Sequence, residues 1–504
     1  MLHTHETLIT KYNLVFNWFN WAGHMKGNAL VLVGVLLASL LFISPSSAHP
    51  DESQDLTKGS ESRHLVRLTG FMVLGLVAVM SANLIETVYI SFIGTEQLAA
   101  LGFTFPLVML LQSLTMGLAV GASSVVARRV GAARLDQAKI IISHSLIITL
   151  LLIGLLVVVV QPNLPAIFVL LGANAEAKLL AVGYMEVWFF GLPFFAVAMV
   201  GSSLMRAVGD VVTPGFLMTV GAALQIILGP LFIFGFDDFS GLGLKGAAIA
   251  FVVARVIAFI FYGYCLHRDQ MVATSLSGFW RSTKEVFHVG LPAIAGNLIG
   301  PATMTFITRL VAEYGSPVVA GFSLAARIET MLAMVIWALS MSVAPFVGQN
   351  WGAGKRDRVR RAVFLGHVFA MGWGAFAYVT LYFLSPTAIG FATQDPLVAE
   401  AARTYLLVVP LGMGLMGICA NAWNSFNALG QPMPPLVMSA AQMLIFTIPL
   451  SLLGNYLLGF VGIFIGGLVS QTLLAMAAFL WLRRSIRGEP MALATGDLST
   501  TQHS

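Results

Sequence analysis

The sequence predicts an all-α integral membrane protein. About twelve transmembrane helices are expected in two parallel-repeat six-helix lobes around a central cavity. Three observations carry this: an apolar composition, a regular succession of long apolar runs, and an internal repeat. Of the 504 residues, 58% are hydrophobic and only 10% are charged, and the mean hydropathy is +0.87. A soluble domain carries about 25% charged residues.

Apolar runs bounded by Gly, Pro or charge clusters fall at roughly 68–92, 103–127, 138–160, 178–206, 213–235 and 244–266. Six more fall at roughly 286–313, 318–348, 359–382, 399–427, 434–456 and 462–483. Each has the ~20 residues that a bilayer crossing needs. Little length remains for a large soluble domain. The basic residues cluster in alternate loops: Arg128, Arg129, Arg134 and Lys139, then Arg268, Arg281 and Lys284, then Lys355 to Arg361, and finally Arg483, Arg484 and Arg487. The opposite loops hold little beyond Lys178, Lys245 and the acidic pair Asp237 and Asp238. Basic loops stay on the cytoplasmic side, so an inner (plasma) membrane location with a cytoplasmic C-terminus is expected. The formal charge of +5 then reflects topology rather than nucleic-acid binding.

The expected division is an N-terminal extension (1–62), an N-lobe (63–266), an inter-lobe linker (267–285), a C-lobe (286–483) and a cytoplasmic tail (484–504). Within the extension, "MKGNALVLVGVLLASLLFISPSSAHP" has a basic start, an apolar run and small residues at its end, as a signal peptide does. Cleavage there would put the new terminus on the wrong side of Lys58, Arg63 and Arg67, which favours an extra span or a start site set too early. The two cysteines, Cys265 and Cys419, are isolated and indicate neither a disulfide framework nor a metal site.

The repeat is found by subtraction. Gly131 in "RRVGAARLDQAK" and Gly352 in "QNWGAGKRDRVR" lie 221 positions apart. The same offset takes Gly94 to Gly315, Asp136 to Asp357, Pro165 to Pro386, Tyr184 to Tyr405, Gly191 to Gly412, Gly209 to Gly430 and Pro214 to Pro435. Gly246 matches Gly462 at an offset of 216, which implies a short deletion near residue 240. Six helices per repeat is an even number, so both repeats enter from the same side. That is a parallel repeat about an axis along the membrane normal, a recurrent plan of transporters.

"IETVYISFIGTEQLAALGF", "GASSVVARRVGAARLDQA", "RAVGDVVTP", "GLGLKGAAIA" and "APFVGQNWGAGKRDR", in this order on a twelve-helix plan, resemble the multidrug and toxic compound extrusion family. The resemblance runs from about residue 68 to 483. It implies export of small organic, often cationic compounds in exchange for protons or sodium ions, by rocking of one lobe against the other.

The intramembrane polar residues are the candidates for that work. A charge at the centre of a membrane helix costs roughly 2.5–3.5 kcal/mol even on the lenient scale, so each needs a reason. Glu86 lies about six residues from the outer end of the first span, roughly 9 Å deep. Family members usually carry Asp at the matching position. Glu keeps the charge but alters any fixed oxygen geometry, which suits a proton better than a sodium ion. Glu86 and Glu329 are therefore the expected ion-coupling and substrate residues, with Asn83, Glu186, Gln225, Asn421 and Asn424 as further cavity candidates. A Glu186–Arg255 ion pair within the first lobe is a structural alternative for those two charges, and Asn421, Asn424 and Asn427 form a stripe along one helix face.

No metal or cofactor is expected, beyond a coupling ion that is H+ in preference to Na+. The expected partners are the substrate, the coupling cation and lipid, with the chain a monomer. An enzyme would need paired carboxylates or HExxH-type spacing in the spans, and neither occurs. The glycine-bearing loops lack the GK[ST] of a phosphate loop, which excludes ATP as the energy source. The nearest rival is a flippase for a lipid-linked or polyprenyl-linked substrate. Its cavity would need basic residues for phosphate, and Arg255, Arg309 and Arg327 are the chief intramembrane cations expected here.

Overall fold

The computed structural model describes residues 55–236 and 239–488. The signal-like stretch, the acidic pair Asp237 and Asp238 and most of the C-terminal tail lie outside the described residues. The first lobe comprises α1 (Glu61–Ser91), α2 (Thr95–Gly131), α3 (Leu135–Leu170), α4 (Ala175–Val208), α5 (Val212–Phe234) and α6 (Leu244–Arg268). The second begins with α7 (Phe279–Ala312), α8 (Ser316–Gly352), α9 (Arg356–Ala392) and α10 (Pro396–Leu429). A final helical run, Met433–Arg487, is long enough to cross twice. It breaks at Gly459, whose φ of 61° and ψ of −143° lie where only glycine is comfortable. This gives α11 (433–458) and α12 (460–487). Twelve crossing helices thus stand among the described residues. A two-residue hairpin, β1 (Gly235–Phe236) with β2 (Phe239–Ser240), fills the α5–α6 turn near the expected deletion.

Every backbone polar group of a span must be satisfied within the protein, which is why the apolar runs fold as continuous helices. Their lipid-side faces carry large apolar groups such as Leu151, Val158, Phe383 and Leu457, all exposed. The inner faces of the first lobe pack around Leu118, Leu204 and Leu224 and those of the second around Phe346, Phe426 and Leu474. Several helices outrun their apolar cores. α1 begins before the expected 68, and α7 begins at Phe279, inside what reads as linker.

The repeat governs how the lobes meet. α1 packs on α5 of its own lobe and on α8 of the other, while α7 packs on α11 and on α2. The two second helices cross at the face that carries the basic loops. A Cβ on Gly131 would lie 1.9 Å from the carbonyl oxygen of Gln349, and one on Gly352 would lie 2.1 Å from that of Arg128. Any larger residue forces the two backbones apart. The side chains repeat the symmetry: Arg128 donates to the Ala428 carbonyl (2.9 Å), and Gln349 donates to the Ala207 carbonyl (2.8 Å). Gln349 and Ala428 follow Arg128 and Ala207 at the same 221-residue offset. The last turns of α4 and α10 are thereby tied to the opposite lobe, and this face is closed.

A segment read as part of the N-terminal extension reinforces the closure. Leu56 is buried, and its backbone N–H donates to Gln349 while its carbonyl accepts from Asn350. Lys355 and Arg358 donate to the carbonyls of Thr57 and Gly59, each at 2.8 Å. Its short polar sequence offered no periodicity to reveal this.

Overpacking a tight contact costs about 1–3 kcal/mol, or more when backbone must move. Gly131→Val and Gly352→Val are each expected to lower the thermal unfolding midpoint of the purified protein by several degrees. Gly154→Val, where a Cβ would meet nothing within 4 Å, serves as the control. Equal midpoints for all three would show that the seam tolerates side chains.

Candidate transport site

Between the lobes lies a cavity of about 440 Å³. Its walls come from α1, α2, α4, α5 and α6 of the first lobe and from α8 and α10 of the second. The tied ends of α4 and α10 form its floor at the basic face. The lining includes Asn83, Gln112, Ser123, Ser202, Ser203, Asn424 and Asn427 as neutral polar groups, and Phe195, Phe251, Tyr262 and Trp337 as rings. Two guanidiniums, Arg206 and Arg255, complete it, and none of the lining residues is acidic.

Glu86 sits behind the first-lobe wall. α1 turns Asn83 to the cavity and Glu86, almost one turn further on, into a small enclosed space with Tyr89, Gln225 and Ala250. Gln225 donates from Nε2 to Glu86 Oε2 at 2.5 Å, and its Oε1 accepts from Arg255 Nη2 at 3.2 Å. The amide can satisfy a carboxylate on one side and a guanidinium on the other only in this orientation. The Tyr184 hydroxyl, from α4, donates to the same carboxylate. Arg255 also lies over the rings of Phe251 (4.9 Å) and Phe195 (5.4 Å), a cation–π arrangement. A chain of contacts therefore runs from the Glu86 carboxylate through an amide to a cation on the cavity wall.

The second lobe holds a related pair. Tyr405 donates to Glu329 Oε2 at 2.5 Å. The tyrosines are repeat partners, whereas the carboxylates are not: Glu86 comes from the first helix of its lobe and Glu329 from the second. Glu329 is outside the lining of the central cavity.

Other candidates divide. Asn83 and Asn424 line the cavity. Gln225 does not; it supports Glu86. Asn421 is buried and accepts from Ser340 at 2.9 Å, so it joins α10 to α8. The pitch of 3.6 residues per turn separates members of a three-residue stripe: Asn424 and Asn427 reach the cavity and Asn421 does not. The Asn427 carbonyl, moreover, accepts from Ser124 across the seam. Glu186 corrects an expectation. It is exposed on an outward stripe with Leu179 and Phe190, half a helical turn away from Phe195, and it pairs with neither Arg255 nor the cavity. Tyr184, two residues earlier, takes the inward position.

Sequence reasoning passed over Tyr184, Tyr405, Arg206 and Tyr262. The first two were visible as a matched pair in the repeat. Arg206 read as the end of a helix, yet it is only 6% exposed and donates to Ser202 (2.5 Å) and Ser203 (2.6 Å). Among the described residues no cluster of three metal-binding side chains occurs.

Two six-helix lobes around a polar cavity closed at one face define a multi-pass membrane protein built on the two-lobe plan of secondary transporters. The MatE family model matches this chain twice, over residues 72–231 and 292–453. The chain belongs to the MatE family of multidrug and toxic compound extrusion transporters. It is 33% identical over 430 residues to the FAD transporter of Shewanella oneidensis, covering 84% of this chain and 94% of that one. It is 25% identical over 419 residues to the multidrug export protein MepA of Staphylococcus aureus, covering 81% and 90%. The MATE transporter VcmN of Vibrio cholerae superposes with a TM-score of 0.82 at 28% identity, covering 87% of this chain and 99% of that one.

The cavity assignment has a direct chemical check. Asn424→Cys is expected to react with a small hydrophilic thiol reagent, and Asn421→Cys to stay protected, against a background in which Cys265 and Cys419 are buried. Equal protection of both would assign the whole stripe to packing.

Proposed function

We propose that the chain exports small organic compounds across the bacterial inner membrane by antiport, with protons as the coupling ion and Glu86 as the coupling group. The basic loops set the closed face in the cytoplasm, and the C-terminus with it. The single observation that carries the reading is the Glu86–Gln225–Arg255 chain, which links an ionisable group behind the wall to a charged group that lines the cavity.

The exchange follows from the amide. A deprotonated Glu86 accepts from the Gln225 NH2 group, which turns the amide carbonyl towards Arg255 and fixes the guanidinium on the cavity wall. A protonated Glu86 gains an O–H donor, which the amide oxygen accepts when it turns to face the carboxyl. The amide that suits it is turned over, and its NH2 group then meets the guanidinium donors. Arg255 loses its support, and the hold on substrate weakens. A difference in affinity between two states is what coupling requires. A proton needs only this one carboxylate, whereas sodium would need several oxygens at set distances.

The relatives differ in what they carry. One is named for FAD and the other for multidrug export. FAD is the first compound to test here, because the relative named for it is the more similar. A flippase for a lipid-linked substrate would also use cavity arginines; family membership and the soluble dinucleotide of that relative favour a water-soluble cargo.

Transport into inverted vesicles, with a pH gradient and a sodium gradient imposed separately, tests this. The pH gradient alone is expected to drive uptake. Glu86→Gln should abolish coupled uptake, and Glu86→Asp should retain part of it. Gln225→Leu should still bind substrate yet lose most of the gradient-driven accumulation. Wild-type rates in Glu86→Gln would make the carboxylate structural and move attention to Glu329.

A further inference from the structure

The cavity floor is asymmetric in a way that the repeat makes visible. At the repeat position of Asn427 in the second lobe, the first lobe carries Arg206. Arg206 lies on the last turn of α4, one residue before the Ala207 carbonyl that Gln349 holds across the seam. It lines the cavity although it is only 6% exposed. Its two terminal nitrogens each reach a serine hydroxyl, Ser202 and Ser203. A guanidinium carries five donors, and neutral hydroxyls do not balance its charge. Among the described residues no carboxylate lies within ion-pair distance of it; Tyr262 is the charged or titratable group it faces.

A buried charge is normally paired, because taking an ion out of water is costly. Among the described residues Arg206 has hydroxyl partners but no countercharge, and it lines a space large enough for a ligand. Arg255 stands on the same wall with its Nε unpartnered. Above them Phe195, Phe251 and Trp337 supply flat apolar surface. An organic cation would find no countercharge in this lining and would meet two like charges.

We infer that Arg206, with Ser202 and Ser203, forms an anion-binding subsite at the floor of the cavity, and that the cargo is an aromatic compound bearing a phosphate or similar anionic group. This rests on the export reading above and gives it a substrate polarity, opposite to the cationic cargo that the family resemblance implies. The bidentate fork of Arg206 takes two oxygens of the anion, the serine hydroxyls are free to rotate and donate to a third, and the ring of the cargo lies against the aromatic wall. The subsite abuts the seam. When the seam opens to the cytoplasm, Arg206 is among the first cavity groups an incoming anion meets.

The test uses a matched pair of probes, flavin mononucleotide and riboflavin, which share a ring system and differ by one phosphate. Binding to the purified full-length protein is followed by flavin fluorescence. Wild type is expected to bind the phosphorylated flavin more tightly. Arg206→Gln should weaken the phosphorylated flavin by about 10- to 100-fold, the range of a charged hydrogen bond, and riboflavin by less than about twofold. Unchanged riboflavin binding shows that the cavity is intact, and Arg206→Lys should recover part of the loss. Equal binding of the two flavins by wild type, binding of neither, or equal losses in Arg206→Gln would each overturn the subsite. Failure of export is distinct from these: a protein that discriminates the flavins but moves nothing in vesicles keeps the subsite and loses the transport reading.

Discussion

The structure depends on the place where two backbones touch. Gly131 and Gly352 bring α2 and α8 together so closely that neither position has room for a Cβ. Around that contact, Arg128 and Gln349 reciprocally hold the last carbonyls of the opposite lobe. The cavity exists because the lobes are joined here and splayed on the other side. Beside this contact the lobes also pack through α1 on α8 and α7 on α2, while the hydrogen bonds across the glycine crossing are weak ties: interhelical hydrogen bonds in a membrane are each worth about 1–2 kcal/mol or less. A joint of that strength suits the proposed exchange, in which the cavity opens to each side in turn.

In the proposed exchange, coupling needs a link between a charge and the cargo, and among the described residues the first lobe provides one. Among the described residues, Gln225 and Arg255 link Glu86 to the cavity. The carboxylate thus stands outside the cavity lining, and in the proposed exchange its protonation state reaches the substrate through the posture of one cation. The second lobe has a carboxylate and a repeat-related tyrosine, Glu329 and Tyr405, but no comparable route to the cavity. Two lobes with one ancestry have diverged in the polar groups they carry, while the seam has kept its symmetry.

Much of the architecture was legible because membranes punish irregularity. The spans and the repeat follow from hydropathy and a constant offset. The site was less legible. Glu86 and Gln225 were readable as charged or polar groups in apolar runs, but depth along a helix says nothing about azimuth. Glu186 and Tyr184 are two residues apart and face opposite ways, and only the second is inside. The repeat held the missing information in the Tyr184–Tyr405 match. Arg206 was hidden for another reason: an arginine near a helix end normally snorkels to water, and here the cavity reaches down to meet it. The strap at Leu56 left no signal, since its bonds come from the end of α8, almost three hundred positions away.

The proposed exchange requires the seam to be a joint with two states, controlled by Glu86. Its most direct measure is the distance between spin labels at Asp136 and Asp357, repeat partners that are both exposed beside the glycine turns. In lipid, pulsed electron resonance is expected to give a short and a long distance whose proportions change with pH in the wild type. In Glu86→Gln the proportions should be fixed at all pH values. A single distance under every condition, or an unaltered pH response in Glu86→Gln, would contradict the account.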